Sequence, residues 1–217
     1  LPASGTRLAF VPREGAAQSE IRIGRVALPR KTAEYHAAVV TNMLLGGAFV
    51  SRINMRLREE KGVTYGARSS FQFLRLAGPF SVQASIQSEA TAASVRDVLD
   101  ELDALGGSRP VTDEELASAR DALTRGYARG FETAEQIARA AAQLALYDLP
   151  ADTFDRFSES VSAVTTADVT ALARRWLESG QMRAVVVGEP TTARAGLDAV
   201  GLDQPESLSS DEVLAGV

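Results

Sequence analysis

Residues 51–86 read SRINMRLREEKGVTYGARSSFQFLRLAGPFSVQASI. In the first ten positions Ile53 and Leu57 recur at helical spacing, Ser51 stands at the cap position, and Gly62 ends the run. From Tyr65 onward the apolar period drops from about 3.6 residues to about 2. Tyr65, Ala67, Ser69, Phe71 and Phe73 alternate with their neighbours; after a turn at Ala77-Gly78-Pro79, so do Phe80, Val82, Ala84 and Ile86. This pattern predicts a β-hairpin with one buried face, entered from a short helix.

Working outward from the hairpin, the N-terminal side reads as two strands and a helix. Arg7–Val11 is a short strand, and Pro12-Arg13-Glu14-Gly15 is a turn. Gln18–Leu28 is a longer strand with Ile21 and Ile23 on one face and Gly24 as a bulge, stopped by Pro29. Ala33–Leu45 carries Tyr35, Ala38, Val39 and Met43 at helical spacing, and Gly46-Gly47 reads as a tight turn into the next helix.

On the C-terminal side the pattern is mostly helical. Val95, Val98, Leu99 and Leu102 form one stripe, ended by Gly106-Gly107. Thr112 with Glu115, and Thr133 with Gln136, form capping boxes. The helices they open carry Leu116, Leu123 and Tyr127, then Ile137, Ala141 and Leu144 as inward stripes. Phe154, Phe157 and Val161 mark another helix, and Val169, Leu172 and Trp176 a further one. Arg183–Gly188, with Val185-Val186-Val187, reads as a buried strand. The fold class is therefore α+β: an antiparallel or mixed sheet with helices layered on one face. Residues 1–200 read as a single domain and 201–217 as a polar, partly disordered tail.

Composition narrows the chemistry. The 217 residues include one histidine, His36, and no cysteine, with 45% hydrophobic residues and a formal net charge of −5. A structural zinc site needs three or four Cys/His ligands, which this chain cannot supply, and it has no HExxH or HxxEH. His36 reads as a surface or partly buried helix residue. A disulfide is impossible, and mild acidity gives no global case for nucleic-acid binding. Leu45-Gly46-Gly47-Ala48-Phe49 follows a helix and lacks Gly-Lys-Ser/Thr, so it is not a phosphate loop. No stretch approaches the roughly 20 apolar residues of a membrane span. The chain opens Leu1-Pro2-Ala3 without methionine, which reads as a processed protein, a cloned domain or a piece of a longer chain.

Arg52, Arg56, Arg58 and Lys61, interleaved with Glu59 and Glu60, ordinarily describe a solvated helix face. Arg58 and Tyr65 stand apart from that reading. Arg58 falls in the last turn of its helix, Gly62 folds the chain, and Tyr65 begins the hairpin, so a guanidinium and a phenol can project from one end of the sheet. Together they offer N–H and O–H donors suited to a peptide carbonyl or a developing oxyanion.

The run Asn42-Met43-Leu44-Leu45-Gly46-Gly47-Ala48-Phe49-Val50-Ser51-Arg52-Ile53, followed by Leu57-Arg58-Glu59-Glu60-Lys61-Gly62-Val63-Thr64-Tyr65, resembles the second half of insulinase/pitrilysin-type zinc peptidases. A weaker likeness extends over about Arg7–Glu189, including the Pro-Val-Thr-Asp-Glu-Glu-Leu helix start at 110–116 and the closing Val-Val-Val-Gly strand. The resemblance implies paired α+β halves, of which the first binds zinc through HxxEH and the second does not. It implies that Arg58 and Tyr65 contribute to the partner half's active site as catalytic residues. Zinc would belong to the partner half, none to this chain. The implied partners are an HxxEH-bearing homologous half or subunit and a peptide substrate, with no nucleic acid or membrane. It also implies that this chain alone is inactive, with a lean to the bacterial periplasm. Two other readings stand: a catalytically inactive structural or binding subunit of the same fold, and an unrelated α+β interaction domain with Arg58 and Tyr65 far apart.

Overall fold

The computed structural model describes residues 7–209, 211 and 212. Six strands form one mixed sheet in the order β3-β4-β2-β5-β1-β6. They are β1 (Leu8–Pro12), β2 (Gln18–Val26), β3 (Ala67–Phe71), β4 (Pro79–Gln87), β5 (Arg183–Gly188) and β6 (Glu206–Ser207). The helices are α1 (Tyr35–Asn42), α2 (Arg52–Asn54), α3 (Thr91–Gly106), α4 (Asp113–Thr124), α5 (Ala134–Tyr147), α6 (Phe157–Ala163) and α7 (Thr166–Trp176).

The hairpin forms as the alternation requires. Ala67 pairs with Ala84 and Phe71 with Phe80, and Phe80, Val82, Ala84 and Ile86 of β4 are all buried. Strand β2 pairs antiparallel with β4 on one side and β5 on the other. Its inward residues Ser19, Ile21 and Ile23 are buried while Glu20 and Arg22 face water. Strand β1 then adds parallel to β5, with Leu8 opposite Ala184. The parallel pair joins the two ends of the sequence, so the sheet closes only after every helix has been laid down.

The structure corrects several readings. The β2–β4 register runs without interruption through Gly24 opposite Ser81, so Gly24 is not a bulge. A Cβ there would lie 2.2 Å from the Phe80 carbonyl oxygen, and close strand approach is what requires glycine. The Val185-Val186-Val187 run is buried on one face only: Val186 is buried, while Val185 is 39% exposed. Three consecutive valines look like a two-sided interior strand, but the helices cover one face of this sheet.

Helices α3 and α7 pack together over the sheet, with Val95, Val98, Leu102, Leu105, Val169 and Leu172 buried. The Arg174 Nε–H donates to the Gly106 carbonyl at 2.6 Å, fastening the end of α3 to α7. Both capping boxes read from the sequence form, and a third joins Thr165 to Asp168 at the start of α7. The aspartate in place of the usual glutamate or glutamine concealed that third box in the sequence.

Helix α5 departs from expectation. None of its residues is buried, and Ile137 is 54% exposed. Its amphipathic stripe is real, but within this chain the helix lies mainly against the short turn Tyr127–Phe131. Residues 201–209, read from sequence as tail, bring β6 alongside β1, where the Leu208 N–H donates to the Phe10 carbonyl at 2.9 Å. Residues 210 and 213–217 of that stretch lie outside the described residues. No helix among the described residues is long and apolar enough to cross a membrane.

Candidate functional site

Both helices that lead into the hairpin end in wider, π-helical turns. Helix α1 continues as Met43–Gly47 and α2 as Met55–Glu60. Such widened turns concentrate at functional sites. Gly46 and Gly47 are therefore not the tight turn expected from the sequence; both belong to the first widened turn. A Cβ on Gly46 would stand 2.4 Å from the Ser69 backbone nitrogen, so the glycine lets this helix end lie directly on β3. Ser69 Oγ–H donates to Asn42 Oδ1 at 2.9 Å across the same contact. Ser51 occupies the N-cap position of α2 but does not cap it; its hydroxyl donates instead to the Ala48 carbonyl at 2.5 Å.

The cationic run resolves into separate roles. Arg52 is buried, against the solvated-face expectation. Its Nε–H and Nη2–H donate to Glu115 at 2.7 and 2.6 Å, and Nη1–H and Nη2–H reach the carbonyls of Arg109 and Pro110 at 2.6 and 3.0 Å. The hydrogen bonds from Arg52 hold the Glu115 carboxyl below the usual carboxylate range. Arg56 and Lys61 both turn to Asp97, whose side chain is nearly buried.

Arg58 is engaged differently. Its guanidinium lies over the Phe49 ring, 4.0 Å from the ring centre. Its Nη1 sits 3.2 Å from Glu59 Oε1, yet this buried nitrogen has no hydrogen-bond partner. Tyr65 is 93% exposed, two residues before β3. The loop that carries it is nonetheless pinned. The Val63 N–H donates to Leu57 O at 3.1 Å, and the Gln87 N–H donates to Val63 O at 3.0 Å. Thr64 Oγ1 donates to Ser85 O at 2.7 Å and accepts from the Gly66 N–H at 3.1 Å. Gly62, at φ +64°, makes the left-handed turn that ends the helix.

Asn54 ties these parts together, and nothing in the sequence pattern singles it out. Its buried amide donates to the Phe49 carbonyl at 2.6 Å and accepts from the Ala67 N–H at 3.0 Å. One side chain thus links the residue under Arg58 to the strand that follows Tyr65. Phe49 and Val50 beside it are 61% and 70% exposed. Phe49 and Tyr65 thus present two exposed aromatic rings, the first against the Arg58 guanidinium and the second with a free phenol. An exposed phenol can donate a hydrogen bond to a carbonyl presented from outside.

His36 is half-buried on α1. Burial and the neighbouring Arg30 both push its pKa down, and its Nε2 has no hydrogen-bond partner. Among the described residues no group of three or more His, Cys, Asp or Glu could hold a metal ion.

Comparison with known proteins agrees with this architecture. Residues 2–123, more than half of the chain, match the family described as the Peptidase M16 inactive domain. A zinc protease of Mycobacterium tuberculosis (strain ATCC 25618 / H37Rv), itself described as uncharacterized, is 26% identical over 190 residues; the match covers 87% of this chain and 42% of that protein. The chain thus spans less than half the length of the curated relatives it matches. The solved peptidase M16 inactive domain from Pseudomonas fluorescens superposes with a TM-score of 0.76 at 22% identity, covering 85% of this chain and 45% of that one. A chain of complex III from Candida albicans shares the fold with a TM-score of 0.69 at 14% identity, over 92% of this chain and 48% of that one. The mixed sheet, its one-sided helical layer and the family match lead to one conclusion: this chain belongs to the Peptidase M16 inactive-domain family, the non-catalytic half of the insulinase/pitrilysin-type zinc peptidases.

Proposed function

We propose that this chain supplies Arg58 and Tyr65 as substrate and transition-state contacts to an HxxEH-bearing half, in peptide-bond hydrolysis. The observations that support the reading are the exposed Tyr65 phenol on a pinned loop and an Arg58 guanidinium whose Nη1 lacks an acceptor. A scissile carbonyl entering from a facing half would accept from both. The developing oxyanion would strengthen those bonds, which is the condition for lowering the barrier rather than only binding substrate. Phe49 and Asn54 hold the guanidinium side of the pair in place, so little reorganisation accompanies the reaction.

One histidine and no cysteine do not make a zinc site, so the metal is assigned to the partner half. There it would supply Lewis acidity and an activated water. One further observation supports a half-enzyme: α5 is amphipathic, yet none of its residues is buried.

The experiment is reconstitution. With a fluorogenic peptide and zinc, this chain alone is expected to give no turnover, the HxxEH-bearing half alone little, and the two together full activity. Equal activity of the HxxEH-bearing half with and without this chain would contradict the reading. A structural subunit is the second reading, favoured by the fold shared with a chain of complex III. It predicts association with the neighbouring half but no hydrolysis by the pair.

A further inference from the structure

A second feature lies among the helices, at residues other than Arg58 and Tyr65. A cavity of about 370 Å³ opens between the start of α1 and the segment that leads into α6. Arg30, Lys31, Tyr35, His36, Arg156 and Ser160 contribute to its wall. Arg30 is 93% buried, being 7% exposed. Its guanidinium carbon lies over the Tyr35 ring, 3.7 Å from the centre. Among the described residues no carboxylate pairs with it and no acceptor takes its side-chain N–H groups.

That arrangement is costly unless something completes it. A guanidinium this deeply set keeps only the hydration the cavity offers and gains the aromatic face in return. The ring takes up no N–H group, and a guanidinium whose N–H groups lack acceptors can hold an oxyanion with two parallel hydrogen bonds. No neighbouring group neutralises the charge. Burial raises Tyr35 and pushes Tyr127 up to about 12, so both phenols stay protonated, and His36 is held neutral. The acidic group on the wall, Asp152, is 3.6 Å from Arg156, and Lys31 is paired with Asp148. The orphaned His36 Nε2 adds a second unpartnered polar atom. The cavity also lies at the N-terminal end of α1, whose dipole favours negative charge.

We propose that this cavity is a binding site for an oxyanion, a carboxylate or a phosphate, held by the in-plane N–H groups of Arg30. Leu149 and Pro150 give part of the wall an apolar character, so the group can arrive attached to a small organic body such as the last residue of a peptide. The inference stands apart from the role of Arg58 and Tyr65 and needs no partner half.

The test uses the only histidine in the chain as a reporter. The His36 ring protons are followed by NMR while the 217-residue chain is titrated with acetyl-Ala-Ala, with acetyl-Ala-Ala-amide and with inorganic phosphate. Saturable shifts are expected with the acid or with phosphate, and binding at least roughly 10-fold weaker with the amide. Tighter binding of acetyl-Ala-Ala names a peptide carboxylate as the source; tighter binding of phosphate names a free anion; either supports the site. Arg30→Gln is expected to abolish the shift, and Arg30→Lys to weaken it by losing the fork while keeping the charge. Tyr65→Phe should leave it unchanged. No saturable response to either anion, or the same response to acid and amide, overturns the proposal, and that comparison needs no variant to fold.

Discussion

Tyr65→Phe in the assembled peptidase is expected to lower kcat by about 10²–10³, the cost of one oxyanion donor removed elsewhere. Substrate affinity should change less, because a bond that strengthens only as the oxyanion develops contributes to kcat rather than to KM. The same substitution should leave the fold intact. Tyr65 is 93% exposed, and its loop is held by the backbone of Val63 and Gln87 and the hydroxyl of Thr64, none of which involves the phenol. Steady-state kinetics beside a thermal melt separates the two effects. A fall in Tm with unchanged kcat would make Tyr65 structural and remove it from the site.

Arg52→Ala should have the largest effect on stability. Removing the guanidinium strands two backbone carbonyls and a carboxylate that is 34% exposed. Breaking a buried pair from one side costs about 3–5 kcal/mol, and the partial exposure of Glu115 places this case near the lower end. For a domain of this size that is a Tm loss of roughly 6–12 °C. The pH dependence follows from Glu115. Its folded carboxyl is held below the ordinary range, so the bond with Arg52 stabilises the chain above the usual glutamate pKa. That stability is lost as pH falls through the lowered folded value. The Arg52→Ala chain should therefore show a flatter decline in Tm on acidification than the parent, measured by calorimetry across the carboxylate range.

The parts of the fold carried by strong local patterns were legible. The hairpin, the helix starts at Thr112 and Thr133, and the strand Arg183–Gly188 appear where alternation and capping residues placed them. What escaped depends on contacts distant in sequence. Gly24 and Gly46 look like local punctuation, yet both answer to a neighbouring strand, at Phe80 and Ser69. The stripe on α5 reads as core because amphipathicity reports that a face wants cover, not that the same chain provides it. Of the candidate site residues, Arg58 and Tyr65 could be named through the family resemblance, residue type and spacing showing only that their role is physically possible. Asn54 and Phe49 could not, because an asparagine that bridges two backbone segments has no sequence periodicity to reveal it. Arg30 was hidden for a related reason: next to Lys31 it looks like surface charge, and only the folded chain buries it over Tyr35.

The most direct measurement replaces Tyr65 with a photoreactive benzoylphenylalanine and irradiates the complete two-half protein holding an uncleaved peptide. If the phenol position leans over the bound chain, mass spectrometry will find the label joined to the peptide close to its scissile residue. Irradiation that joins the label to solvent alone, or to regions of either half with no peptide adduct, would contradict the account.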